Sequence, residues 1–367
     1  MKRKSCLVIG YMNLNFGDDL FFYILFKRYP QVDFYMYPPS VLLDKYKKCY
    51  KKFKNVKFYE EEEYYINVRK DIVDKNTPIN LFPMICERAK KVDFYINIGG
   101  SIFIQNDNWK NDDRFILKDL LNDKKAFIIG CNFGPGDDEF TEFYKNWFAK
   151  FDDVCFRDNK SYEIFKKLPN TRKATDIVLS NCKKNLIFNA LYKKNIAISV
   201  IDITNNKNLK DYVDCYYEWY IKVIKNYIHR GYNINLFSFC TTDGDLKAIN
   251  EILKGINEED KKYIKVIQYN GSISRFLNKF KRNKYVIGTR FHSIILAIMN
   301  NQEFIPISYS KKTDNFLKDL ESSIKAVQIK DLNKKSKKNL KFYHVIQDFD
   351  AEKQFEKIDQ YIKNKTH

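Results

Sequence analysis

The chain has 367 residues, 44% of them hydrophobic, 30% charged and 16% aromatic, with a formal charge of +19 from 65 basic and 46 acidic side chains. At about 150 residues per domain this length suits two domains, and the apolar share excludes a disordered chain. Apolar runs such as 21–26 and 294–299 fall far short of the ~18 residues of a spanning helix.

The start passes from Met1-Lys-Arg-Lys-Ser-Cys into Leu7-Val-Ile and soon returns to polar residues, too short an apolar segment for a secretory leader. A cytoplasmic protein is therefore expected. Eight cysteines are scattered with no CxxC pair, which argues against zinc ribbons and dense disulfide scaffolds. They are expected to be free thiols, several of them buried as small hydrophobes.

Twelve glycines are few for this length, so their positions inform. In chain order, Gly10 follows the apolar run 6–9, and Gly99 and Gly100 follow 94–98. Gly130, Gly134 and Gly136 follow 126–129, and Gly288 follows 285–287. Short β-branched or aromatic runs ending in glycine read as buried strands leading into loops. Helix-like segments lie between them over 19–29, 83–91, 113–122, 138–150 and 160–168. Strand, loop and helix in repetition predict a parallel sheet with helices on both faces and ligands beyond the strands' carboxyl ends.

After polar residues at 181–185 and 193–195 a second series begins. Strands are expected over 196–201, 233–239, 265–268, 285–288 and 304–308. Helices are expected over 214–229 (closed by Arg230-Gly231), from the loop 241–244 through 253, and over 273–281 and 291–300. The reading is two Rossmann-like parallel-sheet α/β domains facing a cleft. The first spans 1–185 and the second 195–330, with a hinge near 181–195. A basic connection carrying Lys334–Lys338 and a C-terminal helix over 351–363 make up 331–367, and the helix can pack on either domain. The acidic run 60–63 reads as solvated surface.

Six segments could carry chemistry. Gly10-Tyr-Met-Asn-Leu-Asn-Phe-Gly-Asp-Asp19 is either a tight turn capped by Asp18 or Asp19, or a loop whose N–H groups meet an anion or a sugar hydroxyl. It carries neither a Walker A nor a GxGxxG pattern. Ile98-Gly-Gly-Ser101 allows close backbone approach, and Gly130-Cys-Asn-Phe-Gly-Pro-Gly136 is another strand-end loop. Arg157, directly after the run 154–156, can pair with Asp158 on the surface or grip a carboxylate or phosphate bidentately. Gly288-Thr-Arg-Phe-His-Ser places Arg290 and His292 at a strand–helix junction, where they can face one way along an extended loop. His292 then suits a proton donor or phosphate ligand, against a mere helix-start role. Lys312 lies at the next strand end.

Taken in order, these segments resemble the polysaccharide pyruvyl transferase family. The matching residues are Gly17-Asp18-Asp19, the pair Gly99-Gly100, Gly130 with Gly134 and Pro135, Arg157 and Asp158 with Ser161, Asp176, Arg290 with His292, and Ser308-Tyr309 with Lys312. Residues 40–80 match no part of the family pattern and are where acceptor choice would lie. The resemblance implies a GT-B-like architecture. It also implies transfer of a pyruvyl group from phosphoenolpyruvate to a sugar of a cell-surface polysaccharide or its precursor, as a ketal, with loss of phosphate. On that reading Arg157, Arg290 and Lys312, with the backbone at Gly99, Gly100 and Gly134, hold the donor. His292 is the general acid or binds the phosphate, and Asp18 or Asp19 orients the acceptor or acts as base. No cofactor beyond the donor and no essential metal is expected. The acceptor would be lipid- or nucleotide-linked, and the basic surface is compatible with peripheral contact at the inner face of the membrane. Nucleic acid is not expected, because the basic residues are not grouped with stacking aromatics. The alternative is a GT-B-type glycosyltransferase using a nucleotide sugar.

Overall fold

The computed structural model describes residues 3–70, 77–181, 192–321, 323–332 and 340–363. They form two units: Met1–Asn13, Asp18–Ser180 and Asp350–His367 in the first, and Leu14–Gly17 with Asn181–Phe349 in the second.

Along the first unit run β1 (Lys4–Ile9), α1 (Phe16–Arg28), β2 (Val32–Met36), α2 (Leu43–Tyr50), β3 (Val56–Lys57), α3 (Glu63–Lys70), α4 (Phe82–Lys91) and β4 (Phe94–Ile98). Then come α5 (Asp113–Leu120), β5 (Lys125–Cys131), α6 (Asp138–Phe148), β6 (Asp153–Phe156), α7 (Asn159–Phe165) and β7 (Thr171–Lys173). The seven strands are all parallel, in the order β3-β2-β1-β4-β5-β6-β7. Every residue of β4 is buried, as expected of a central strand covered on both faces. Aspartates start the helices on the carboxyl side. Asp112 caps α5, Asp137 caps α6 and Asp158 caps α7, each accepting from a backbone N–H of the first turn. One core is dense in aromatics, with Phe103, Phe133, Phe140, Tyr144, Trp147 and Phe148 in mutual contact.

The second unit repeats the plan with β8 (Asn195–Ser199), α8 (Val213–His229), β9 (Asn233–Ser238), α9 (Asp245–Lys254), α10 (Glu258–Lys261) and β10 (Ile264–Gln268). It continues through α11 (Ile273–Phe280), β11 (Tyr285–Gly288), α12 (Phe291–Met299), β12 (Glu303–Ser308), α13 (Lys311–Leu320) and β13 (Val327–Gln328). Its six parallel strands lie in the order β10-β9-β8-β11-β12-β13. Both sheets therefore reverse direction beside their first strand, between β1 and β4 and between β8 and β11. Such a switch point opens a crevice at the carboxyl ends of the strands. Helix α12 is apolar nearly all round and buried over most of its length, as a helix inside a fold must be.

Several expectations need correction or completion. The C-terminal helix, α14 (Glu356–Lys363), belongs to the first unit. Gln354 secures the segment: its Oε1 accepts from Gly130 N at 2.9 Å, and its Nε2 donates to the carbonyls of Ala174 at 2.9 Å and Thr175 at 3.1 Å. The acidic run is not simply solvated. Glu62 accepts from Tyr37 Oη at 2.6 Å and Arg88 Nη2 at 3.0 Å. Residues 182–191 of the expected hinge and the basic block 334–338 lie outside the described residues. The seven described cysteines are free thiols, with Cys6, Cys131, Cys155 and Cys240 buried. Among the described residues no helix is long and apolar enough to cross a membrane.

Candidate functional site

In the first unit, three loops from adjacent strand ends and one more distant aspartate meet around Arg157. The residue follows β6, its backbone N–H held by Cys131 O at 2.8 Å. Its guanidinium donates to Asp176 Oδ2 at 2.9 Å, Asn132 Oδ1 at 2.6 Å and Ser101 Oγ at 3.4 Å. Ser101 also donates to Asn132 Oδ1 at 3.0 Å. The loops are tied directly as well: Asn132 N donates to Gly100 O at 2.9 Å, and Phe133 N to Ser161 Oγ at 2.8 Å. Gly100 lets the backbone approach closely here, because a Cβ on it would lie 2.7 Å from Arg157 Nη1 and push on the guanidinium. Arg157 and Asp176 are almost wholly buried, with side chains 3% and 0% exposed, so this charge is matched from within. Asp158 caps α7, accepting from Ser161 N at 2.8 Å.

In the second unit, β11 and β12 run side by side and each ends at a helix N-terminus. Arg290 is the N-cap residue of α12, His292 lies in that helix's first turn, and Lys312 lies in the first turn of α13. The Lys312 ammonium sits 4.9 Å from the centroid of the Phe291 ring. The idea that Arg290 and His292 face one way fails because the helix starts at Phe291, and residues two apart on a helix do not share a face. Arg290 Nε reaches Asp245 Oδ1 at 2.8 Å, its Nη2 also meets Asp245, and its Nη1 donates to Asp243 Oδ2 at 2.8 Å. Burial opposes the guanidinium charge, but Asp245 outweighs it, with smaller support from Tyr309 and Asp243, and the Arg290 pKa is pushed above its ordinary value. Burial pushes the nearby Cys240 thiol up to about 11, which keeps it neutral.

His292 takes the other side. Its imidazole lies against Gly17, where a Cβ would fall 1.8 Å from Nδ1. The segment carrying Gly17 is fixed to the same unit by Phe16 N donating to Phe239 O at 3.0 Å, and Phe16 packs on Phe276 at 4.4 Å between ring centroids. Two motifs far apart in sequence, the Gly17 loop and His292, are thus brought together. The adjoining Ser199 hydroxyl ties the two switch-point strands, accepting from the N–H groups of Thr289 at 3.1 Å and Arg290 at 3.2 Å.

Of the remaining expected site residues, Asp18 is half-buried at the start of α1. Asp19 is fully buried in the first unit, where its Oδ1 accepts from Tyr46 Oη at 2.9 Å. Gly99 follows β4, and Gly134 lies in the loop after β5 with φ +81°. The sequence reading missed Asn132, Asp243 and Asp245. The acidic pair at the start of α9 was a visible signal, but only folding brings it to Arg290. Among the described residues no group of three or more His, Cys, Asp or Glu could hold a metal ion.

A family model described as polysaccharide pyruvyl transferase matches residues 15–311. The amylovoran biosynthesis protein AmsJ of Erwinia amylovora is 25% identical over 256 residues, 64% of this chain. That match spans 61% of the relative's own length. Among solved structures, the UDP-GlcNAc 2-epimerase of Methanocaldococcus jannaschii is similar over 98% of this chain and 99% of its own, with TM-score 0.57 and 10% identity. HepE of Anabaena, solved with UDP and glucose, is similar over 99% of this chain and 100% of its own, with TM-score 0.50 and 9% identity. At such identities the likeness is one of fold: two parallel-sheet α/β domains of the GT-B kind.

Proposed function

The chain belongs to the polysaccharide pyruvyl transferase family, and from that premise we propose that it transfers a pyruvyl group from phosphoenolpyruvate to a sugar of a cell-surface polysaccharide or its precursor. The observation that carries the reading is the strand-end cluster of the second unit. There His292 and Lys312 stand at the N-termini of two neighbouring helices, whose dipoles favour anions.

The donor bears a carboxylate and a phosphate. Lys312 and the two helix N-termini bind these groups, and His292 delivers a proton to the methylene carbon, leaving C2 electrophilic. One sugar hydroxyl adds to C2 and a neighbouring hydroxyl of the same sugar displaces phosphate there. Of the two hydroxyl protons, one replaces the proton given by His292 and the other leaves with phosphate. The products are a methyl-bearing ketal and inorganic phosphate. Asp18, the more exposed of the two aspartates, relays one of these hydroxyl protons to the departing phosphate. Arg290 and Arg157, both already bound to carboxylates, act as positioning residues that hold the strand-end loops in shape.

We place the reaction in the cytoplasm, on a lipid- or nucleotide-linked sugar. The test is to incubate the protein with phosphoenolpyruvate and a panel of such sugars, reading phosphate release and product mass. A mass gain of one ketal-linked pyruvyl group with stoichiometric phosphate is expected, and His292→Ala should lose about 10²–10⁴-fold in turnover. A His292→Ala protein with full turnover would overturn the assignment. Release of a nucleotide from a nucleotide sugar, without phosphate from phosphoenolpyruvate, would identify a glycosyltransferase instead.

A further inference from the structure

Asn97 occupies the fourth position of the central strand β4, in register with Ile9 of β1 and Ile128 of β5. Its side chain is fully buried, yet no described residue offers a hydrogen bond to its Oδ1 or its Nδ2. A buried amide normally satisfies its one acceptor and two donors. Tyr95, two positions earlier and so on the same face of the strand, is also fully buried with an Oη that finds no described partner.

Asn97 is among the residues that line a pocket of about 280 Å³ at the carboxyl ends of β1 and β4, the switch point of the first sheet. That volume lies near the ~300 Å³ lower end of small-molecule sites. Gly10 and Ser101 line it as well, and Arg114 is the one charged residue among the lining residues. The Arg114 charge is spent elsewhere: Nε donates to Asp112 Oδ1 at 2.9 Å and Oδ2 at 2.8 Å, and Nη2 donates to Ile102 O at 3.0 Å. The pocket lining is therefore electrically neutral. Tyr11 and Ile104, each 43% exposed, add an aromatic and an aliphatic surface to its lining.

We propose that this pocket is a sugar-binding subsite of the first unit, taking one uncharged pyranose ring, and that Asn97 is its specificity-determining residue. An amide donates to one hydroxyl oxygen and accepts from the next, so it reads a pair of adjacent hydroxyls. The apolar C–H face of the ring lies against Tyr11. An anion finds no unmatched cation here and is rejected. Calling the ring the acceptor rests on the transferase reading. The binding claim does not.

The experiment measures binding apart from turnover. Saturation-transfer NMR on the full chain uses the methyl glycosides of glucose, galactose, mannose and N-acetylglucosamine as probes, with inorganic phosphate as the anionic control. At least one glycoside should bind saturably to the wild type and to His292→Ala, and should raise the melting temperature of both. Asn97→Leu and the smaller Asn97→Ser should weaken that binding by about tenfold or more. Without ligand, Asn97→Leu should melt higher than the wild type, because it removes an unsatisfied amide. The proposal is overturned if none of the four glycosides binds, or if both Asn97 variants bind as the wild type does. It is also overturned if Asn97→Leu melts lower while binding persists, which marks Asn97 as a structural amide. Asn97-dependent binding without phosphate release from phosphoenolpyruvate leaves the subsite standing and removes the pyruvyl reading.

Discussion

Arg157 in the first unit and Arg290 in the second both stand between the end of a parallel strand and the start of the next helix. Their partners differ. Arg157 donates to the carboxylate of Asp176 and to two neutral oxygens, those of Asn132 and Ser101. Arg290 is gripped by two carboxylates, and Asp245 is itself held by the N–H groups of Phe239 at 2.8 Å and Cys240 at 3.1 Å. The contrast teaches that a strand-end position does not by itself leave a cation available to a ligand. The neighbouring loops decide how much of its charge is already answered.

Removing the carboxylates tests this contrast most directly. Asp176→Ala should cost about 3–5 kcal/mol in denaturant unfolding, because it removes the carboxylate paired with a guanidinium that is only 3% exposed. Asp245→Ala should cost less, about 1–3 kcal/mol, since Asp243 still pairs with Arg290. Equal losses would break the distinction. The two close-approach glycines come next. Gly100→Ala pushes on Arg157 and Gly17→Ala on His292, each at about 1–3 kcal/mol of overpacking. The first should appear mainly in stability. The second should appear mainly in kcat, because the imidazole must move aside. A Gly17→Ala protein with unaltered kcat would separate His292 from the chemistry.

Smaller effects sharpen the picture. Lys312→Met keeps a hydrocarbon chain on Phe291 but removes the charge. It should raise KM for phosphoenolpyruvate about tenfold, or ~1.4 kcal/mol, with stability within about 0.5 kcal/mol of the wild type. The smallest effect concerns Asp202. Burial raises its pKa, but the hydrogen bond from Lys247 at 2.8 Å and those from Thr204 outweigh it, so the carboxyl titrates below its ordinary value. A lowered folded pKa means that the stabilisation is complete above the ordinary carboxylate value of ~3.9 and is lost as pH falls from there through the lowered folded value. Asp202→Asn should therefore flatten the acid limb of stability by a few tenths of a kcal/mol, measured between about pH 5 and pH 3.

The central strands were legible because a strand buried on both faces is a continuous apolar run. Phe94–Ile98 and Tyr285–Gly288 were read with their observed bounds. Three of the four edge strands were not, whereas the fourth, Ile264–Gln268, was read as 265–268. Val56–Lys57, Thr171–Lys173 and Val327–Gln328 are two or three residues long and carry polar side chains, as strands near a sheet edge do. The polar helix Leu43–Tyr50 hid for a similar reason, its buried face being Leu43, Tyr46 and Tyr50 among lysines. Within the site, Gly99-Gly100 and Arg157 were each visible as weak motifs. That Gly100 is glycine because of Arg157 was not.

The order of apolar runs, glycines and helix-forming segments in the chain was enough to specify two parallel α/β units and the family motifs strung along them, since burial on both faces and helical periodicity are local properties of sequence. Tertiary structure alone decided which polar groups meet. It set Asp245 on Arg290, Asn132 and Asp176 on Arg157, Gly17 under His292, and left Asn97 buried facing a pocket. Hydrogen bonds and ion pairs act over a few ångströms in space, and folding brings to that distance residues that the chain holds tens or hundreds of positions apart.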